Sequence, residues 1–132
     1  MIDHTGIIVS AFNRSRAFYE TALAPIGYTL LMNFPAAMTG TTDVAGFGEA
    51  PNPDFWIYGA TPARPVNHPP LHVAFRVASR AMVDAFHQAA LTAGATDNGA
   101  PGPRPHYHAN YYGAFVLDPD GHNIEAVCHD PA

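Results

Sequence analysis

The chain compares with itself at a fixed spacing. "HTGIIVSAFNRSRAFYETAL", starting at His4, lies over "HVAFRVASRAMVDAFHQAAL", starting at His72, an offset of 68. Both segments open on His, carry Val five residues on (Val9, Val77), hold Ala-Phe in the middle and end in Ala-Leu. The same offset, without a gap, sets Phe47 over Phe115 and Pro51 over Pro119. A repeat of this length constrains the fold more than composition does, because each copy must adopt one plan. Two copies of one module are expected, over about residues 1–60 and 70–130. The Pro-rich "GATPARPVNHPP" joins them within one domain spanning 1–132.

Each copy opens on an alternating strand, about Ile2–Ser10 and Leu71–Val77, and continues into a helix, about Asn13–Leu23 and Arg80–Ala93. Phe18 with Ala22, and Phe86 with Ala90, fall four apart and share a helix face. Ser79 is placed to cap the second helix, and Gly94 and Gly27 to end the two. Three strand-like runs follow in each copy: Tyr28–Phe34, Thr42–Gly48 and Asp54–Gly59, then Ala95–Asn98, Tyr111–Leu117 and Asn123–Cys128. Asp118-Pro119 and Asp120-Gly121 supply turn chemistry between the last two. The plan is βαβββ twice, an α+β fold of curved mixed sheets. Modules of about 60 residues cannot each bury a full core, so they must pack together or against a second chain. The prolines of Pro51–Pro70 and Pro101–Pro105 read as loops.

Composition excludes several classes. The hydrophobic fraction of 48% in 132 residues supports a core. Net charge is −5 with six Lys+Arg, so no basic stripe exists to neutralise phosphates and nucleic acid is not expected. No run reaches the roughly 20 apolar residues of a membrane span, and the N-terminus lacks a signal-peptide pattern. A single cysteine, Cys128, forms no intrachain disulfide and reads as a small buried hydrophobe. A cytoplasmic protein is the expectation.

One residue conflicts with its setting. Glu125 lies mid-strand between Ile124 and Ala126, and a buried carboxylate is costly unless something pairs with it. Strand alternation gives His72, Ala74 and Arg76 one face, opposite Leu71, Val73, Phe75 and Val77. It puts His4 with Gly6 and Ile8, and Glu125 with Asn123 and Val127. Two histidines at the same point of repeated strands, plus one glutamate, suit a divalent cation such as Zn²⁺, Ni²⁺, Fe²⁺ or Mn²⁺ with coordination positions left open. Arg76 is the other available partner for Glu125. The stretch "RPHYHANYYGAF", residues 104–115, is the second candidate. Arg104 and His106 read as substrate-binding, and His108, Tyr111 or Tyr112 as proton-transfer groups. Trp56 and Phe55 either line a cavity or pack in the core. His87 and His122 read as exposed.

The motifs "DHTGIIV", "LHVAFRV" and above all "LDPDGHNIEAV" resemble the vicinal oxygen chelate superfamily, which includes glyoxalase I, fosfomycin-resistance proteins, extradiol dioxygenases and bleomycin-resistance binding proteins. The resemblance covers nearly the whole chain. It implies paired βαβββ modules cupped around a metal, with His4, His72 and Glu125 at three ligand positions. It also implies a substrate that chelates through neighbouring oxygens, and a homodimer. Glyoxalase I-like members use a fourth ligand in the first module. The offset of 68 puts Ile57 there, and Phe55–Tyr58 holds no carboxylate or amide. The extradiol pattern expects a Tyr where Phe115 stands. Three functions follow: a metal-dependent lyase, isomerase or dioxygenase; a protein that sequesters a small ligand without turnover; and a thiol-transfer enzyme of the fosfomycin type.

Overall fold

The computed structural model describes residues 1–132. The first module comprises β1 (Thr5–Val9), α1 (Phe12–Ala22), β2 (Thr29–Phe34), a one-turn helix α2 (Ala36–Thr39), β3 (Val44–Gly48) and β4 (Phe55–Gly59). The second comprises β5 (His72–Arg76), α3 (Arg80–Thr92), β6 (Thr96–Pro103), β7 (Tyr112–Leu117) and β8 (Asn123–Cys128). The sheet orders are β1-β4-β3-β2 and β5-β8-β7-β6, so the two modules share one topology. In each, the first and last strands run parallel and the other pairs antiparallel. The expected α+β plan of two βαβββ units with mixed sheets is the one observed. No helix is long and apolar enough to cross a membrane.

Alternation explains which face each sheet buries. Ile7 and Val9 of β1, with Phe55 and Ile57 of β4, are essentially inaccessible and pack against Phe18 and Tyr19 of α1. Ala114, Val116, Ile124 and Ala126 do the same beneath Val83, Phe86 and Ala90 of α3. Helix α3 is capped as expected, with Ser79 Oγ accepting from the Met82 N–H at 3.2 Å. Gly27 and Gly94 follow the helices at φ 90° and 104°, a region that a side chain disfavours. The two modules share one continuous core, because Phe75 of β5 packs edge-on to Phe55 (5.3 Å) and Tyr28 (5.4 Å) of the other module.

The pairings correct the gapless repeat. Gly46 and Gly6 lie opposite Trp56 in the first sheet; Phe115 and Ala74 lie opposite Glu125 in the second. The counterpart of Glu125 is therefore Trp56. Ile57 points into the core, where it is fully buried. Phe47 and Phe115 likewise face opposite ways, Phe47 in the core and Phe115 against His72. A one-residue slip turns a strand side chain to the other face, and equal lengths of sequence concealed it. Three further expectations change. β6 runs through Pro101 to Pro103, which an edge strand tolerates because half of its N–H groups need no partner. His87 is buried, with Nε2 3.0 Å from Asp97. His122 has no exposed surface.

His122 belongs to the turn Asp118–Gly121, which ties the modules together. Asp118 accepts from the Tyr19 hydroxyl (2.5 Å) and from the N–H groups of Asp120 and His122 (both 2.9 Å). Burial, then the charge of Asp118, hold the Tyr19 hydroxyl well above its ordinary pKa, so it remains a donor. Asp120 accepts from Ser10 through its backbone N–H (3.0 Å) and its hydroxyl. His122 Nδ1 accepts from the Leu71 N–H at 3.0 Å, which places the ring proton on Nε2, facing the Ile8 carbonyl at 3.4 Å. Asp118→Ala would leave a buried phenol and two backbone donors unpaired. We expect it to lower stability by about 3 kcal/mol, read from urea unfolding with an unchanged slope. A loss below about 1 kcal/mol would show that the turn does not hold the modules together.

Candidate functional site

Glu125 is 2% exposed on β8, on the sheet face turned away from the helices. Its partners are His72 and Tyr111; Arg76 makes no ion pair with it. His72 Nε2 lies 3.1 Å from Glu125 Oε2, and the Tyr111 hydroxyl donates to Oε1. Gly113 makes room for the pair: a Cβ there would lie 3.3 Å from Oε1 and 3.2 Å from the Tyr111 ring. His72 Nδ1 lies 3.0 Å from the Asn123 carbonyl oxygen, which can only accept. Nδ1 therefore carries a proton. In a neutral ring Nε2 then presents a lone pair to a carboxylate, and two lone pairs at 3.1 Å require a cation between them. A proton or a metal ion supplies it. An imidazole with Nδ1–H on a backbone carbonyl and a free Nε2 is also how a metal-binding histidine is oriented.

Around this pair the strands supply a wall. Phe115 of β7 stacks on His72 at 6.3 Å and 27°, and the Arg104 guanidinium sits 5.5 Å over the Phe115 ring. Arg104 is held by the carbonyls of Gly102 (2.9 Å) and Ala100 (2.8 Å). With His106, Phe115, Asn98 and Asn123 it lines a shallow pocket of about 340 Å³. His106 packs on Tyr107, and Tyr107 on Tyr111. His108 Nδ1 accepts from the Asn110 N–H (3.1 Å), so its Nε2–H donates to His129 Nδ1 at 2.7 Å. Both rings stand edge-on to Tyr111 at 5.3 Å. Burial first, then the hydrogen bond to Glu125, raise the Tyr111 pKa far above the ordinary phenol value. Tyr111 is therefore a hydrogen-bond donor at neutral pH rather than a base.

Other sequence candidates fall elsewhere. Tyr112 points to the helix side of β7, where its hydroxyl donates to Asp84 (2.7 Å) and Arg80 covers its ring at 4.9 Å. Strand alternation separates it from Tyr111, so it does not reach Glu125. His4 precedes β1 rather than lying within it, is exposed, and has Nδ1 2.6 Å from Asp3. Trp56 lies on the open face of the first sheet, stacked with Phe34 at 6.4 Å, while Phe55 is core. Cys128 is buried and free. Sequence reasoning missed His129 and the Asn123 carbonyl, since neither contact follows from strand spacing.

Three side chains of ligand type bring one donor atom each within 4.8 Å of the others: Asp118, Asp120 and His122. His4, His72 and Glu125 do not form such a group. The first set has a metal-site composition; in the fold His122 Nδ1 is committed to the Leu71 N–H, and the two carboxylates accept from Tyr19, Ser10 and backbone N–H groups. His72 Nε2 and Glu125 Oε2 lie 3.1 Å apart within the same module.

The model of the Glyoxalase/Bleomycin resistance protein/Dioxygenase superfamily matches residues 1–126. No curated protein matches the sequence significantly. Among solved structures, a glyoxalase/bleomycin resistance protein from Albidiferax ferrireducens T118 is similar, with TM-score 0.79 and 25% identity over 96% of this chain and 97% of that one. A glyoxalase/bleomycin resistance protein/dioxygenase from Nocardioides has TM-score 0.63 and 21% identity over 98% and 83%. An E144Q mutant of maize glyoxalase I has TM-score 0.71 and 23% identity, covering 96% of this chain but 46% of that one. On the match of its sequence and the doubled βαβββ fold, this chain belongs to the Glyoxalase/Bleomycin resistance protein/Dioxygenase superfamily.

Proposed function

We propose that the chain is a small metal-dependent enzyme acting on a substrate with vicinal oxygens. The observation that carries this reading is the His72 Nε2 to Glu125 Oε2 approach, with Nδ1 committed to Asn123. His72 and Glu125 would hold a divalent ion (Zn, Ni, Fe or Mn), and His4 would join them on leaving its exposed contact with Asp3. When bound, the ion supplies Lewis-acid polarisation of the substrate oxygens, for a lyase, isomerase or dioxygenase reaction. Tyr111 orients Glu125 by donating to Oε1. Arg104, braced on carbonyls over Phe115, supplies positive charge at the mouth, beside His106. His108 and His129 hold the Tyr111 ring and offer a titratable pair nearby. The lack of a carboxylate or amide on the open face of β4, where Trp56 stands, argues against the glyoxalase I proton transfer. The same reading makes the protein a homodimer, because the open faces of both sheets stay partly exposed, and the single free cysteine fits a cytoplasmic setting.

A second reading is a module that sequesters a small ligand without turnover. Trp56 at the position matching Glu125 favours it. In that case a proton, not a metal, bridges His72 and Glu125.

Metal content decides between them. Untagged protein purified without chelator should carry about one transition-metal ion per chain by elemental mass spectrometry, and Glu125→Ala and His72→Ala should each lose it. Metal-free protein that takes none up on titration would support the binding module. Tyr111→Phe should weaken metal affinity by roughly 10- to 100-fold, as loss of a group orienting a ligand does. His108→Ala should lower turnover while keeping the metal; an unchanged rate would remove it from the reaction.

A further inference from the structure

The open face of the first sheet lacks the chemistry of the second but has its own shape. Phe34, Val44, Pro53, Trp56 and Tyr58 line an apolar trough of about 650 Å³. Gly46 leaves the room: a Cβ there would meet the Trp56 ring at 2.9 Å. One end of the trough is Asp3 with His4. Tyr58 also lines a second, smaller pocket of about 160 Å³, with Thr41, Thr42, Thr61 and Arg64. Arg64 lies 5.7 Å above the Tyr58 ring and has no carboxylate partner in the chain.

Its loop is fixed. Thr61 and Arg64 exchange backbone hydrogen bonds at 3.0 and 3.1 Å, and the Arg64 N–H also reaches Thr61 Oγ1 at 3.1 Å. Asn67 ties the following residues to β1 by accepting from the Ile8 N–H at 2.7 Å. Thr61 uses an oxygen lone pair on Arg64, so its hydroxyl proton is free to donate. A cation and a hydroxyl donor thus line the same small pocket, in a chain of net charge −5. Arginine matches a carboxylate in shape as well as charge. Asp3 at the far end repels such a group and sets the direction.

We propose that this face binds a flat aromatic carboxylate, its ring on Trp56 in the trough and its acid group on Arg64. The site goes beyond the metal reading and does not depend on it. Asp3 also borders the cleft in front of His72, so a bound ring lies beside the candidate reaction site.

Trp56 is the only tryptophan, so its fluorescence reports on the trough directly. The whole protein is titrated with naphthoate and with the uncharged naphthylmethanol. Naphthoate should quench Trp56 saturably and bind more tightly than the alcohol. Arg64→Gln should weaken naphthoate by roughly tenfold or more, while leaving the alcohol unchanged. Glu125→Ala should bind naphthoate as the parent does, which separates failure of this site from failure of the metal reading. Circular dichroism checks that each variant is folded. Absence of saturable quenching, equal affinity for acid and alcohol, or an Arg64→Gln affinity equal to the parent's would each overturn the proposal.

Discussion

Each four-stranded sheet covers one face with its own helix, but the two units are too small to stand alone, and the seam between them decides the rest. Phe75 reaches across it to Phe55 and Tyr28, and the Asp118–Gly121 turn reaches back to Tyr19 and Ser10. The aromatic contacts supply apolar burial without direction. The turn supplies direction, because its carboxylates and imidazole accept from donors of both modules at fixed distances. Asp118 and His122 therefore look like ligands by composition and act as joints by hydrogen bonding.

With the seam fixed, each module is free to specialise its open face. Equivalent strand positions hold Glu125 in one module and Trp56 in the other. The first makes a polar site in which a buried carboxylate faces an imidazole whose other nitrogen is already bonded. The second makes an aromatic surface bordered by Arg64. A duplicated unit can diverge in this way because the helix-side residues carry the folding energy. The outward residues of the same strands carry little of it, so substitutions there change chemistry more than stability.

The doubled plan, the helix spans and the Ser79 cap were legible in the sequence because apolar periodicity and capping chemistry are local. The mid-strand carboxylate was legible as an anomaly for the same reason. The registers were not. Phe47 and Phe115 align at the repeat offset yet point to opposite faces, since loop lengths between strands compensate one another. Pro101 and Pro103 read as loop because sequence does not say that β6 is an edge.

What the sequence determined by itself was the set of elements and the presence of His72 and Glu125 on strands. Only the tertiary structure decided that Tyr111, not Tyr112, completes the Glu125 pair, that His4 turns to Asp3, and that His122 is buried. The physical reason is that side-chain direction follows from pairing register and from the closure of loops. Both are set by contacts between residues far apart in the chain, and neither leaves a periodic trace along it.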